Sequence, residues 1–288
     1  MMKVVSPFLR PLHASRRGEI SESLTPLWHE SAIHRGVSAR NGFTIPSRTI
    51  LRRPVQSPAT TMPSFTPTLE QITARTLAHY QQCAEDFREG TRNHDVSQNI
   101  AALLRHIRGQ PPFTILDFGC GPGRDLKAFT RLGHRAVGLD GAANFVEMAR
   151  SDTGCTVWEQ DFLSLDLPSG HFDGVFANAS LFHVPSRALP RVLRQLHAAL
   201  KPDGVLFCSN PRGDNQEGWH DGRYGVFHDL AAWRRWLLNA GFVELEHYYR
   251  PTGLPCAQQP SLASVWRRVA GNGAPLHPSF RVRKMDDS

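Results

Sequence analysis

Short apolar runs at 113–118, 135–139, 155–158, 172–178 and 205–209 are separated by longer stretches, and that alternation constrains the fold more than any other feature of the chain. Leu126, Phe129 and Leu132 mark an inward helix face before Gly133, a second helix is predicted over 142–150, and Leu189, Val192, Leu193, Leu196 and Leu200 mark a third. The turn Lys201-Pro202-Asp203-Gly204 stops that third helix before the strand at 205–209. Strands joined through helices pair in parallel by right-handed crossovers, which predicts an α/β, doubly wound sheet. The first run is near-continuously apolar, which predicts a strand buried on both faces. A ligand then belongs beyond the carboxyl ends of the strands.

Two helices are predicted ahead of the sheet. Thr68 and Gln71 have capping-box spacing, and Ile72, Leu77, Tyr80, Ala84 and Phe87 follow at mostly helical spacing. A second helix starts near Asp95 and carries Val96, Ile100, Leu103, Leu104 and Ile107 before Gly109. At the other end Asp229 caps a helix with Leu230, Trp233, Trp236 and Leu237 inward and Arg234 and Arg235 outward. Strands at 242–249 and 262–269 then follow with no room for a crossover helix between them, so they must be antiparallel. The prediction is a mostly parallel seven-stranded sheet with an antiparallel last strand.

Charge divides the chain. The formal net charge is +7, but residues 1–61 hold nine basic residues against three acidic ones, which leaves +1 for the rest. A near-neutral folded part argues against a nucleic-acid partner, which needs a basic face on the domain itself. Residues 1–61 are rich in serine, proline and arginine and read as a disordered basic segment. Three readings of them stand: sequence upstream of a natural start at Met62, a transit peptide for an organelle, or a basic binding arm. The predicted domains are 1–61, then 62–270, then a tail at 271–288. A cytoplasmic location is expected, or a mitochondrial one if 1–61 is a transit peptide. No run approaches a membrane span. Five scattered cysteines argue against a disulfide framework and against a zinc knuckle, so no metal site is expected.

The first strand runs into Ile115–Asp125, ILDFGCGPGRD, with glycine at 119, 121 and 123. Together with Asp140 in VGLDGA, Gln160-Asp161-Phe162, FDGVFANASLFHVP and LHAALKPDGVLF, this resembles the ordered motifs of class I, seven-stranded, S-adenosylmethionine-dependent methyltransferases. The likeness covers about residues 70–270, closing strand pair included. It implies that the protein binds S-adenosyl-L-methionine and transfers its methyl group. It also implies cofactor-binding roles for Asp117, Gly119, Cys120, Gly121, Gly123, Asp140, Gly141, Ala142, Asp161, Phe162 and Asn178. A turn without side chains lets its backbone N–H groups approach the methionyl portion. Asp117 is placed to meet an ammonium, Asp140 to accept both ribose hydroxyls, Asp161 to accept from the adenine amino group, and Phe162 to flank the ring.

Three alternatives stand beside this reading. A nicotinamide enzyme shares the topology, but the glycines read GxGxG rather than GxGxxG. A catalytically silent cofactor-binding scaffold is the second, and an RNA or protein methyltransferase the third. Asn178-Ala179-Ser180 lacks the Asn-Pro-Pro-aromatic run of enzymes that methylate exocyclic amines, and with the neutral core this points to a small-molecule acceptor. His183 lies just past the fourth strand, where it can orient or deprotonate an acceptor. Tyr80 belongs to the helices expected to close over the cofactor. Residues 210–228 read as a long unstructured linker whose Arg212, Trp219, His220, Arg223 and Tyr224 suit a planar or anionic acceptor. With the segment 250–260, this linker is expected to wall the acceptor site.

Overall fold

The computed structural model describes residues 67–255 and 258–269. The segments predicted at 1–61 and 271–288 lie outside the described residues. Thr68 caps α1 (Leu69–Gln82) with both halves of the predicted box present. The helix bends at Cys83, where ψ is 21°, and continues as α2 (Ala84–Thr91). Its i to i−4 hydrogen bonding carries through the bend, since Phe87 N donates to Cys83 O at 2.9 Å. Three helices therefore precede the sheet where the spacing predicts two. The third, α3 (Ser97–Leu104), begins where Asp95 Oδ1 accepts from Ser97 N at 2.9 Å.

The strands are β1 (Thr114–Phe118), β2 (Arg135–Asp140), β3 (Thr156–Glu159), β4 (Phe172–Asn178), β5 (Leu200–Pro211), β8 (Phe242–Arg250) and β9 (Ser261–Arg268). They lie in the order β3-β2-β1-β4-β5-β9-β8, and β9 runs antiparallel to both of its neighbours, as predicted. The predicted turn at 201–204 is taken up inside β5: partners step from Phe172↔Leu200 to Gly174↔Val205, and Asp203 adopts φ 61°. The helices α4 (Arg124–Arg131) and α5 (Ala143–Thr153) follow β1 and β2, while α6 (Leu189–Ala199) and α7 (Leu230–Asn239) flank β5 in sequence.

Successive residues of a strand face opposite sides. Ile115 and Phe207 accordingly join Leu103 and Phe129 on one side of the sheet, whereas Leu116 and Cys208 join Leu193, Trp233 and Trp266 on the other. One inward assignment fails. Leu132 is 56% exposed, because α4 ends at Arg131 and Leu132 is its C-cap, turned off the face that carries Leu126 and Phe129.

The largest departure lies at 210–228. Instead of an unstructured linker, the chain forms a hairpin of β6 (Gln216–His220) and β7 (Arg223–Phe227). Its two-residue loop is Asp221-Gly222, with φ 46° and 83°, and His220 pairs with Arg223. Positive φ at both central residues is the type I′ turn that fits strand twist, and Asp-Gly is among its preferred sequences. Valine at Gly222 is expected to cost about 1–2 kcal/mol for the left-handed backbone. Urea titration followed by Trp219 fluorescence checks this; an unchanged midpoint would remove the turn from the forces that hold the hairpin.

Candidate active site

The glycine turn is held from beneath. Gly119 N and Cys120 N both donate to Leu139 O, at 2.8 and 3.0 Å, and Gly123 N donates to Cys120 O at 3.1 Å. Gly121 N donates to Asp140 Oδ2 at 2.9 Å. All four donors are used inside the protein, which corrects the expectation that they face a ligand. Glycine is required for a different reason: φ is 81°, 52° and 88° at 119, 121 and 123, and a Cβ on Gly119 would lie 2.5 Å from Ser180 Cβ. Cys120 turns its side chain into the core with Leu126, Val146 and Val157, where burial pushes its thiol pKa well up.

Two acids stand at this turn. Asp117 is 2% exposed, and its Oδ2 has no hydrogen-bond partner among the described residues. Burial pushes its carboxyl well above the usual carboxylate range, and the Asp125 carboxylate adds to the shift. Ser180 Oγ, on the far side of Gly119, is likewise buried without a partner among the described residues. Asp140, the last residue of β2, accepts from Gly121 N at Oδ2 and from Ala142 N at Oδ1, each at 2.9 Å. Burial raises it to about 6, against the pull of those N–H donors. A carboxylate has about four lone-pair sites, so both oxygens keep capacity for ribose hydroxyls.

The helices ahead of the sheet cover this end of it. Leu77 packs at Gly141, where a Cβ would sit 2.9 Å from Leu77 Cδ2, and Tyr80 and Phe87 join Ala142 and Phe145 in one cluster. Arg124 grips Asp125 through two nitrogens and donates to Thr91 O at 3.0 Å, tying α2 to α4. After β3, Asp161 Oδ1 accepts from Leu163 N at 2.5 Å. Phe162 stacks on Phe118 with centroids 4.3 Å apart. Asn178 spends its amide on a buried chain that the sequence reading missed. Tyr248 OH donates to Asn99 Oδ1, Asn99 Nδ2 to Asn178 Oδ1, and Asn178 Nδ2 to Asp125 Oδ2, at 2.9, 3.0 and 3.2 Å.

On the acceptor side, β4 leads into one 3₁₀ turn, Leu181–His183. His183 Nδ1 lies 2.6 Å from Tyr224 O, and Nε2 lies 2.7 Å from Tyr80 OH. A carbonyl only accepts, so Nδ1 carries the proton and the phenol donates to Nε2. Burial lowers His183 to about 4, so the imidazole is neutral and both its nitrogens are committed. The structure thus gives His183 the part of a clamp and not of a free base. Tyr224 N also donates to Thr76 Oγ1 at 3.1 Å, which pins the hairpin to α1. Trp219 lies under the Arg75 guanidinium at 4.1 Å. Arg212 donates to Gln259 O at 3.2 Å and lies over Tyr249 at 4.6 Å, joining the end of β5 to the segment before β9. The two loops named from the sequence therefore rise from one edge, but Trp219 and Tyr224 belong to the hairpin and Arg212 to the seam beside it.

This sheet order, an antiparallel β9, a glycine turn closing β1 and acids on β1 and β2 define the class I methyltransferase fold. Residues 115–204 match the family model described as a methyltransferase domain. It is 35% identical over 114 residues to trans-aconitate 2-methyltransferase of Azoarcus sp. (strain BH72), covering 38% of this chain and 44% of that protein. Over 132 residues it is 31% identical to sterol 24-C-methyltransferase of Yarrowia lipolytica, covering 42% and 32%. The chain thus spans less than half the length of these curated relatives. A solved structure of Burkholderia thailandensis 1,6-didemethyltoxoflavin-N1-methyltransferase, with bound 1,6-didemethyltoxoflavin and S-adenosylhomocysteine, aligns with TM-score 0.61. It covers 73% of this chain and 94% of that one at 22% identity, a likeness of fold.

Proposed function

We propose that this protein binds S-adenosylmethionine and transfers its methyl group to a small-molecule acceptor, leaving S-adenosylhomocysteine. The observation that carries the reading is the pairing of an inward-turned set of N–H donors with a buried carboxylate oxygen at Asp117 that has no hydrogen-bond partner among the described residues. A pyrophosphate needs donors at the turn, and here they are spent, which disfavours a nicotinamide cofactor. An ammonium needs acceptors, and Asp117 offers one. The relatives named above are called after small acceptors, and the hairpin fixed over the end of β4 favours a small molecule over a polymer.

In this reading Asp117 holds the ammonium, Asp140 the ribose hydroxyls, and Asp161 and Phe162 border the adenine. The bound cofactor supplies a methyl already activated by its sulfonium. The chain itself has to orient the acceptor and exclude water, and α1 and the hairpin are placed to do both. Calorimetry of the full chain with S-adenosylmethionine and, in parallel, NAD tests the cofactor; micromolar binding of the first alone is expected. Tritium transfer from labelled cofactor to a panel of small acids, phenols, amines and thiols tests the reaction. NAD binding would overturn the reading, and cofactor binding without product from any acceptor would favour a silent scaffold.

A further inference from the structure

We propose, on the basis of the methyltransferase reading above, that Ser180 is a further binding residue for the amino-acid end of the cofactor: its hydroxyl donates to the methionyl carboxylate, while Asp117 takes the ammonium. The need for such a residue comes from the glycine turn. Gly119 N and Cys120 N donate to Leu139 O, Gly123 N to Cys120 O, and Gly121 N to Asp140 Oδ2. The amino-acid end of S-adenosylmethionine is a zwitterion, and a carboxylate taken out of water needs donors as much as an ammonium needs acceptors. Those four N–H groups are spent within the fold. A side chain has to supply the donor instead.

Ser180 is 4% exposed, and its Oγ has no hydrogen-bond partner among the described residues. The backbone that carries it is fixed on both sides. Ala179 N donates to Ser209 O at 2.7 Å, and Ser180 O accepts from His183 N at 3.0 Å. Ala179 itself adopts φ 57°, a left-handed conformation that a residue with a Cβ keeps only where its surroundings dictate it. Ser180 is thereby set against the glycine turn. Its Cβ and Oγ lie 2.5 and 3.2 Å from the place a Cβ on Gly119 would take, with Phe162 Cζ at 3.1 Å. Two residues before Gly119 stands Asp117, whose Oδ2 is also buried without a partner among the described residues.

The chemistry of the two side chains divides the zwitterion between them. An ionised carboxylate only accepts, whereas a hydroxyl brings one donor. Asp117 therefore attracts the ammonium and repels the carboxylate, which leaves the Ser180 O–H as the matching donor for the anion. The Arg124 guanidinium, whose charge acts on Asp117, is turned to Asp125 and to Thr91 O. Buried hydroxyls are as a rule hydrogen-bonded within the fold. One that is not, placed at the same turn as an acid in the same condition, is suited to a ligand that carries both charges. The pair would thus tell the whole cofactor from a nucleoside fragment without the amino-acid end.

The test is calorimetry of the full chain with three ligands: S-adenosylhomocysteine, its decarboxylated analogue, which keeps the amine, and its deaminated analogue, which keeps the carboxylate. Ser180→Ala and Ser180→Gly, which both remove the hydroxyl without adding bulk, are each expected to lose about tenfold or more in affinity for S-adenosylhomocysteine, the scale of one hydrogen bond to a charged group. The same loss is expected with the deaminated analogue, whereas the decarboxylated one should bind within about twofold of the parent, as for independent sites. Asp117→Asn is the mirror case, its loss persisting with the decarboxylated analogue and disappearing with the deaminated one. Thermal unfolding of ligand-free Ser180→Ala is expected no lower than that of the parent, because the hydroxyl it removes has no partner to lose. A Ser180 loss that is equal for all three ligands, that follows the amine, or that is absent would overturn the proposal and leave the cofactor reading intact, as would a clear fall in the Ser180→Ala unfolding temperature. No binding of S-adenosylhomocysteine to the parent would overturn both.

Discussion

Replacing Gly119 with alanine is expected to destabilise the protein by about 2–5 kcal/mol and to abolish measurable cofactor binding. Two terms add. The backbone at 119 has φ 81°, a left-handed conformation that costs an L-residue about 1–2 kcal/mol. The new Cβ would sit 2.5 Å from Ser180 Cβ and 3.1 Å from Phe162 Cζ, and overpacking of a buried site costs about 1–3 kcal/mol. Neither neighbour gives easily, since Ser180 is fixed by the turn that leaves β4 and Phe162 is stacked on a fully buried Phe118. The two terms separate in a double-mutant cycle with Ser180→Gly. Removing the Ser180 side chain should return the packing term, a coupling of about 1–3 kcal/mol, and leave the backbone term in place. Strictly additive unfolding energies in that cycle would show that the turn moves away from β4 to make room.

How much of this was legible in the sequence follows from the range of the interactions. The strand order rests on local alternation and on a segment too short for a crossover, and both could be read. The capping box at Thr68 and the cap at Asp229 are contacts three residues long, and they too appear as expected. The hairpin was signalled by Asp221-Gly222, but β6 is largely polar and partly exposed, and Gly218 and Gly225 interrupt the two strands, so no apolar alternation marked them. Within that stretch Gly222 specifies one turn, at φ 83°. Tyr80 with His183, Asn99 with Asn178 and Tyr248 with Asn99 are 103, 79 and 149 residues apart. Nothing periodic links such residues, and they meet only because the pre-sheet helices fold back over the ends of β1 and β4.

The glycine turn teaches the subtler lesson. Its three positive φ angles were implied by the residue type, but the direction of its N–H groups was not. Leu139 O and Asp140 lie directly beneath the turn because β1 and β2 are in register, Phe118 against Leu139. That register, a property of the sheet, absorbs the donors.

Asp117→Asn and Asp140→Asn should differ in their consequences for stability and share one consequence for the cofactor. At Asp117 the buried Oδ2 has no partner among the described residues, and burial raises the pKa, so an uncharged isostere relieves a poorly compensated charge. A gain of about 1–4 kcal/mol at neutral pH is expected. Because the folded pKa lies above the unfolded value near 3.9, the wild-type carboxyl costs nothing below that pH and progressively more as pH rises toward the folded pKa. The advantage of Asp117→Asn should accordingly vanish near pH 3.5 and widen above it. At Asp140 the same exchange sets an amide N–H against Gly121 N–H or Ala142 N–H. That mismatch costs about 1–3 kcal/mol, which offsets what the removed charge returns, so no net gain is expected. Both variants should lose about 10–100-fold in affinity for S-adenosylmethionine, the scale of one hydrogen bond to a charged group. Denaturant unfolding across pH beside calorimetry gives all four quantities. A stabilised Asp140→Asn, or an Asp117→Asn variant that binds cofactor normally, would mean that the two acids do not divide the site as their hydrogen bonds indicate.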